Sequence, residues 1–134
     1  MFIRKKTTKA GTTVYVLVQN RRVAGDESRQ TVVFYLGPHT TVVKALRAWT
    51  AEAKACRKKD ALIEQKALAL EATLKKTHGR RLPLDPLRGA AASTSYGRLI
   101  RRIFRLWSES AKLAKRAEQA EKRVQMLQGI TRRP

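Results

Sequence analysis

The chain changes its hydrophobic period once. Thr12 to Val18 (Thr-Thr-Val-Tyr-Val-Leu-Val) and Thr31 to Leu36 (Thr-Val-Val-Phe-Tyr-Leu) are strand-length runs of β-branched and aromatic residues bounded by turn formers, which predicts two strands. Phe2-Ile3-Arg4 reads as a third, edge strand. Between the two main runs, Ala24-Gly25-Asp26-Glu27-Ser28 has the composition of a longer hairpin loop, with the acidic pair Asp26 and Glu27 at its tip. Gly11 separates the edge strand from the first long one, and Leu36-Gly37-Pro38 closes the unit. Three strands with one apolar face are marginally stable alone, so another element has to cover them.

From Thr41 the period becomes helical. Val42, Leu46, Trp49, Ala53, Cys56, Asp60, Ile63, Ala67, Leu70 and Leu74 follow one another at alternating spacings of four and three, a heptad seam. Thr40 or Thr41 stands where the N-cap belongs, and Gly79 where a helix ends. Asp60 breaks the seam. A carboxylate there is costly unless paired, so the expectation is a basic partner, with a bend or fraying near Lys58-Lys59-Asp60 as the alternative. His78 to Gly97 is a connector rich in Pro and Gly, with a helix start invited at Ser93 to Ser95. A second seam follows: Leu99, Ile103, Leu106, Ser110, Leu113, Ala117, Ala120, Val124 and Leu127. This predicts a helix to about Gln128, ended by Gly129 and an Arg132-Arg133-Pro134 tail.

The expected fold is therefore α+β. A small antiparallel sheet of two or three strands (residues 1–37) precedes a long helix (41–77), a connector (78–97) and a long basic helix with a tail (98–134). The helices would form a hairpin or a coiled coil. Their seams are rich in Ala, which buries little area, and this favours an added partner, either a second protomer or the sheet.

Charge changes the picture from architecture to partners. The 134 residues carry 30 Lys and Arg against 10 Asp and Glu, a net charge of +20, and the four segments just named carry +5, +5, +2 and +8. The excess runs through the whole chain and is not confined to a tail. Self-repulsion of that size disfavours compactness unless a polyanion screens it, so nucleic acid is the expected partner. One cysteine excludes an internal disulfide, no Cys/His set has metal-ligand spacing, and no apolar run reaches the roughly 18 residues of a membrane span. The expectation is a cytoplasmic protein, associated with the nucleoid or a ribonucleoprotein, with no membrane contact.

Catalysis finds little support in the residue pattern. The ten acids mostly stand near Lys or Arg three or four positions away, as Glu118 does with Lys122, which is surface ion-pair patterning. No Gly-x-Ser-x-Gly or phosphate-loop spacing is present. His39 and His78 mark the two ends of the first helix, and Cys56 reads as a small core residue. No catalytic residue, metal or cofactor is expected.

The basic residues are the informative class. Arg98, Arg102 and Arg105 share one helical face with Arg101 beside them, and an arginine fork suits phosphate bidentately, whereas a merely solvated face usually mixes Lys with Glu. Further clusters are Arg80, Arg81 and Arg88 in the connector, Arg57-Lys58-Lys59 in the first helix, and Arg4-Lys5-Lys6 with Lys9 near the N-terminus. Gln19, Asn20, Arg21, Arg22, Arg29 and Gln30 flank the hairpin with the residue types that read bases, and a two-stranded ribbon can enter a major groove. With three Phe and three Tyr in the chain, stacking on single strands is the weaker expectation.

The stretch Phe2-Ile3-Arg4-Lys5-Lys6, Lys9-Ala10-Gly11, Tyr15-Val16-Leu17-Val18, Arg21-Arg22 and Arg29-Gln30-Thr31-Val32-Val33-Phe34-Tyr35-Leu36-Gly37 resembles the opening of insertion-element transposases of the RNase-H-like DDE class. In those proteins a leading Ile-Arg, a Lys-x-Gly, a Tyr-x-x-Leu-Val strand, an Arg-Gln pair and a closing Leu-Gly recur before the catalytic core. The resemblance covers about 37 residues and implies a β-rich element that holds transposon DNA. The separated Asp, Asp and Glu of that core have no counterpart here. Three functions follow as expectations. The first is a non-enzymatic protein binding double-stranded DNA, related to transposase N-terminal elements. The second is an RNA-binding subunit of a ribonucleoprotein. The third is a coiled-coil adaptor whose helices form a homodimer or recruit a larger protein.

Overall fold

The computed structural model describes residues 1–25, 27–79 and 95–132, and for His78 the backbone alone. Five elements follow in order: β1 (Phe2–Thr7), β2 (Thr13–Arg22), β3 (Ser28–Gly37), α1 (Val42–His78) and α2 (Ser95–Thr131). The strands form one antiparallel sheet in the order β1-β2-β3, so the fold is α+β as the two periods predict. Asp26 and most of the connector, with Arg80, Arg81 and Arg88, lie outside the described residues.

All three strands are longer than their β-branched runs. Backbone pairing carries β2 on through Gln19-Asn20-Arg21-Arg22 and starts β3 at Ser28, and the turn between them closes with the Val23 N–H on the Glu27 carbonyl at 3.0 Å. Gly25 occupies that turn at φ +105, a conformation open to glycine at no steric cost. The β1–β2 turn is tied by the Thr8 N–H on the Thr12 carbonyl at 2.9 Å and the Thr12 N–H on the Thr8 hydroxyl at 3.2 Å.

Helix ends follow their capping residues, with one exception. Of the two candidate caps it is Thr41 whose hydroxyl accepts the Lys44 N–H, at 3.2 Å. Gly79, at φ +60, gives its N–H to the Lys75 carbonyl and ends α1. Gly129 does not end α2, contrary to expectation. Glycine weakens a helix by roughly 1 kcal/mol relative to alanine but does not forbid it, and the helix continues to Thr131. The Thr131 hydroxyl turns back onto the Leu127 carbonyl at 3.0 Å.

The residues fall into two compact units: Met1–Ala51 with Glu121–Pro134, and Glu52–Ala120. In the first, Val16, Leu17, Val18 and Leu36 of the sheet are buried with Ala45, Trp49 and Leu127 from the helices. Phe34 meets Trp49 edge-on at 6.0 Å, so helix α1 covers the sheet face that carries Leu17 and Phe34. The Arg123 guanidinium lies over the Trp49 ring, 5.8 Å from its centroid.

In the second unit α1 and α2 run antiparallel. Glu52 accepts the Arg116 Nε–H at 2.6 Å, Asp60 accepts the Ser110 hydroxyl at 2.5 Å, and Glu71 accepts the Trp107 Nε1–H at 2.5 Å. The Glu52 hydrogen bond, followed by its charge, holds the Arg116 guanidinium above its ordinary pKa. Every seam residue described in α1 and α2 is buried or half-buried. Small ones, Ala53, Cys56, Ala67, Ala117 and Ala120, fill the middle, while Leu74, Ile100 and Ile103 pack with Leu70, Tyr96, Leu99, Phe104 and Trp107 at one end.

Asp60 and Ser110 are the two polar interruptions of the two seams, and they meet each other. The carboxylate accepts a hydroxyl from α2, and α1 continues unbroken through it without the bend or fraying weighed as the alternative. Removing one half of a buried pair leaves the other without its bond, which costs more than removing both. Ser110→Ala is therefore expected to lower stability by about 1–3 kcal/mol, while Asp60→Leu combined with Ser110→Ala recovers most of that loss, as read from urea unfolding midpoints.

Candidate nucleic-acid interface

Strand register sorts the basic residues of the sheet onto two faces, because paired residues in an antiparallel ladder share a face and neighbours alternate. Arg4 pairs with Val16, Lys6 with Val14, Asn20 with Gln30 and Arg22 with Ser28, which puts these side chains on one face with Phe2, Val18 and Val32. Lys5 pairs with Tyr15, Gln19 with Thr31 and Arg21 with Arg29 on the opposite face. The sequence cluster Arg4-Lys5-Lys6 is thereby split, and so is the group of Arg21, Arg22, Arg29 and Gln30. Lys9 sits apart in the exposed β1–β2 turn.

β1 stops pairing at Phe2 opposite Val18, whereas β2 and β3 stay paired four residues further, to Arg22 opposite Ser28. Gln19 to Arg22 and Ser28 to Val32 are all exposed, so the outer hairpin is a two-stranded ribbon clear of the core. Four pairs span roughly 14 Å at about 3.4 Å per residue. At its centre Arg21 stands directly across from Arg29, a like-charge pair that a sheet normally avoids. An anion between the two guanidinium groups would turn that repulsion into attraction.

β3 has two irregularities that the sequence reading did not anticipate. Val18 pairs with Val32 but Leu17 with Phe34, so Val33 is an extra residue in the ladder, and Val16 pairs with Tyr35 but Tyr15 with Gly37, so Leu36 is a second. A regular strand would put Val32 and Phe34 on the same face. The bulge at Val33 sends Phe34 toward Trp49 and returns Tyr35, paired with Val16, to the face of Arg4 and Val32. Tyr35 is 60% exposed there. It is the site residue that sequence reasoning missed, because strict alternation assigns it to the other side.

A cleft of about 390 Å³ is lined on this face by Arg4, Lys6, Val16, Val18, Gln30 and Val32, with Lys5 and Thr7 of the edge strand β1 adding to its border. The Arg4 Nη1 donates to the Gln30 Oε1 at 3.1 Å, a bond that reaches from β1 to β3 across the central strand. The remaining candidates belong to the helical unit. Arg98, Arg101, Arg102 and Arg105 are exposed at the start of α2, and Arg98 and Arg102 line an open groove of about 510 Å³ with Thr73, Thr77, Ser95 and Leu99. Arg57, Lys58 and Lys59 are exposed on α1, but as consecutive helical residues they point about 100° apart and form no single face.

Among the described residues no helix is long and apolar enough to cross a membrane. No protein-family model, curated protein or solved structure matches the chain.

The Arg21–Arg29 pair makes a stability prediction of its own. Arg29→Glu replaces a repulsive cross-strand pair with an attractive one and is expected to stabilise the free protein by about 0.5–1 kcal/mol at low salt, less at high salt, in urea denaturation. A loss of stability would show that the two guanidinium groups already share a favourable arrangement.

Proposed function

We propose that this protein is a non-enzymatic, double-stranded-DNA-binding protein related to the N-terminal elements of insertion-element transposases, working on the nucleoid. The observation that carries the reading is the exposed β2–β3 ribbon with Arg21 opposite Arg29. A major groove about 12 Å wide admits a two-stranded ribbon. Inserted with the Gln19, Arg21, Arg29 and Thr31 face toward the bases, the ribbon offers arginine forks for guanine and an amide for adenine. The exposed Arg98, Arg101, Arg102 and Arg105 would neutralise phosphates, and the resemblance of residues 2–37 to transposase openings supports DNA as the polyanion.

Fluorescence anisotropy against matched duplex DNA, single-stranded DNA and structured RNA over a salt series tests the proposal. Duplex is expected to bind most tightly, with a logarithmic salt slope near −0.9 for each phosphate contacted. Charge reversal of Arg98, Arg102 and Arg105 should weaken all duplexes alike and flatten the slope by about three contacts. Arg21→Ala with Arg29→Ala should instead cost sequence discrimination, about 1–3 kcal/mol per bidentate contact. A preference for structured RNA would overturn the duplex reading in favour of a ribonucleoprotein subunit.

A further inference from the structure

We propose that the face of the sheet carrying Tyr35 is a second site, which holds an unpaired base of a single DNA strand. Val16 and Val18 of the central strand lie at its floor but are themselves nearly covered, 1% and 2% exposed, so the apolar surface it offers is chiefly the 41%-exposed Val32. Its rims are cationic: Arg4 and Lys6 stand on β1, one strand spacing from the floor. Tyr35 stands opposite Val16 on β3 with most of its ring exposed, and Phe2, 40% exposed, stands opposite Val18 on β1. A large aromatic ring left in water beside guanidinium and ammonium groups has the makings of a stacking platform with an electrostatic groove, the combination that binds single strands.

The cleft selects the unpaired form. Its β1 and β3 rims are two strand spacings apart, roughly 9–10 Å, which is too narrow to receive a duplex edge-on against the floor. Tyr35 and Phe2 stand on the same face beside the cleft and not among the residues that line it, and the π-face of a base becomes available to such a ring only when the base has left its own stack. Arg4 engages the Gln30 amide oxygen, which turns the Gln30 amide nitrogen into the donor presented at the rim. A carbonyl acceptor such as O2 or O4 of a pyrimidine complements that donor. The surplus residue at Val33 is what turns Tyr35 to this face, and bulges are frequent beside functional sites.

This site goes beyond the duplex reading and stands or falls separately from it. The test uses the full chain and two probes, a fluorescein-labelled oligothymidine 12-mer and the same 12-mer with 2-aminopurine at its centre. Wild type is expected to bind the 12-mer and to change the 2-aminopurine emission as that base stacks. Tyr35→Ala should weaken 12-mer binding about tenfold and abolish the emission change, Tyr35→Phe should preserve both, and neither should alter duplex affinity. Arg21→Ala with Arg29→Ala is the converse control, expected to weaken duplex and spare the 12-mer. Unfolding midpoints of the variants confirm that the exposed ring was not a packing residue. Failure of wild type to bind the 12-mer, or equal binding by Tyr35→Ala, overturns the site even if duplex binding holds. Retention of 12-mer binding with no duplex affinity would overturn the duplex reading alone.

Discussion

Trp49 is the side chain on which the sheet-bearing unit closes. It receives the edge of Phe34 from β3 at 6.0 Å, the edge of His39 from the β3–α1 connection at 5.7 Å, and the Arg123 guanidinium from α2 at 5.8 Å. Edge-on ring pairs add about 0.5–1.5 kcal/mol beyond the area they bury, and a cation over an indole contributes about as much. Phe34 reaches Trp49 because Val33 is an extra residue in the ladder, and the same extra residue turns Tyr35 outward. The Phe34 contact and the outward turn of Tyr35 therefore both follow from Val33, while the second surplus residue, Leu36, is itself buried in the core.

The helical unit is held by a different logic. Alanine seams allow close approach but specify little, since one alanine fits another at several heights. The polar contacts set the height: Glu52 with Arg116, Asp60 with Ser110, Glu71 with Trp107. A slip by one heptad would leave the Asp60 carboxylate buried against carbon, so the pair that contributes least to burial excludes the alternative registers most strongly. Among the described residues no buried side-chain nitrogen or oxygen lacks a partner, which is the condition under which such a pair can be kept.

Charge is left unresolved at the surface. Arg21 faces Arg29, and the start of α2 carries four exposed arginines, arrangements whose mutual repulsion the proposed DNA contact would relieve. Such a surface differs from one that is merely solvated, where acids would be interleaved. The ribbon adds geometry to that charge. With β1 absent beyond Val18, the arginines project on a two-stranded element narrow enough to enter a groove.

Much of this was legible in the sequence for a simple reason: periodicity is local. The change from period two to alternating spacings of four and three fixes three strands and two helices, and the seam positions from Val42 to Leu127 are buried or half-buried, although the buried Ala45 and Ile100 stand outside both seams. Thr41 and Gly79 mark helix ends because capping depends on a few adjacent residues. Gly129 shows the limit, since a helix tolerates a glycine when its neighbours continue to hydrogen-bond. What only the tertiary structure decided is which residues meet across chain distance. The partner of Asp60 depended on the height at which two helices settle. The division of the arginine-rich hairpin into two faces depended on strand register, and the outward turn of Tyr35 on one surplus residue that no alternation rule contains. A pattern along the chain records which side chains avoid water, and the pairing of separate segments determines what those side chains touch.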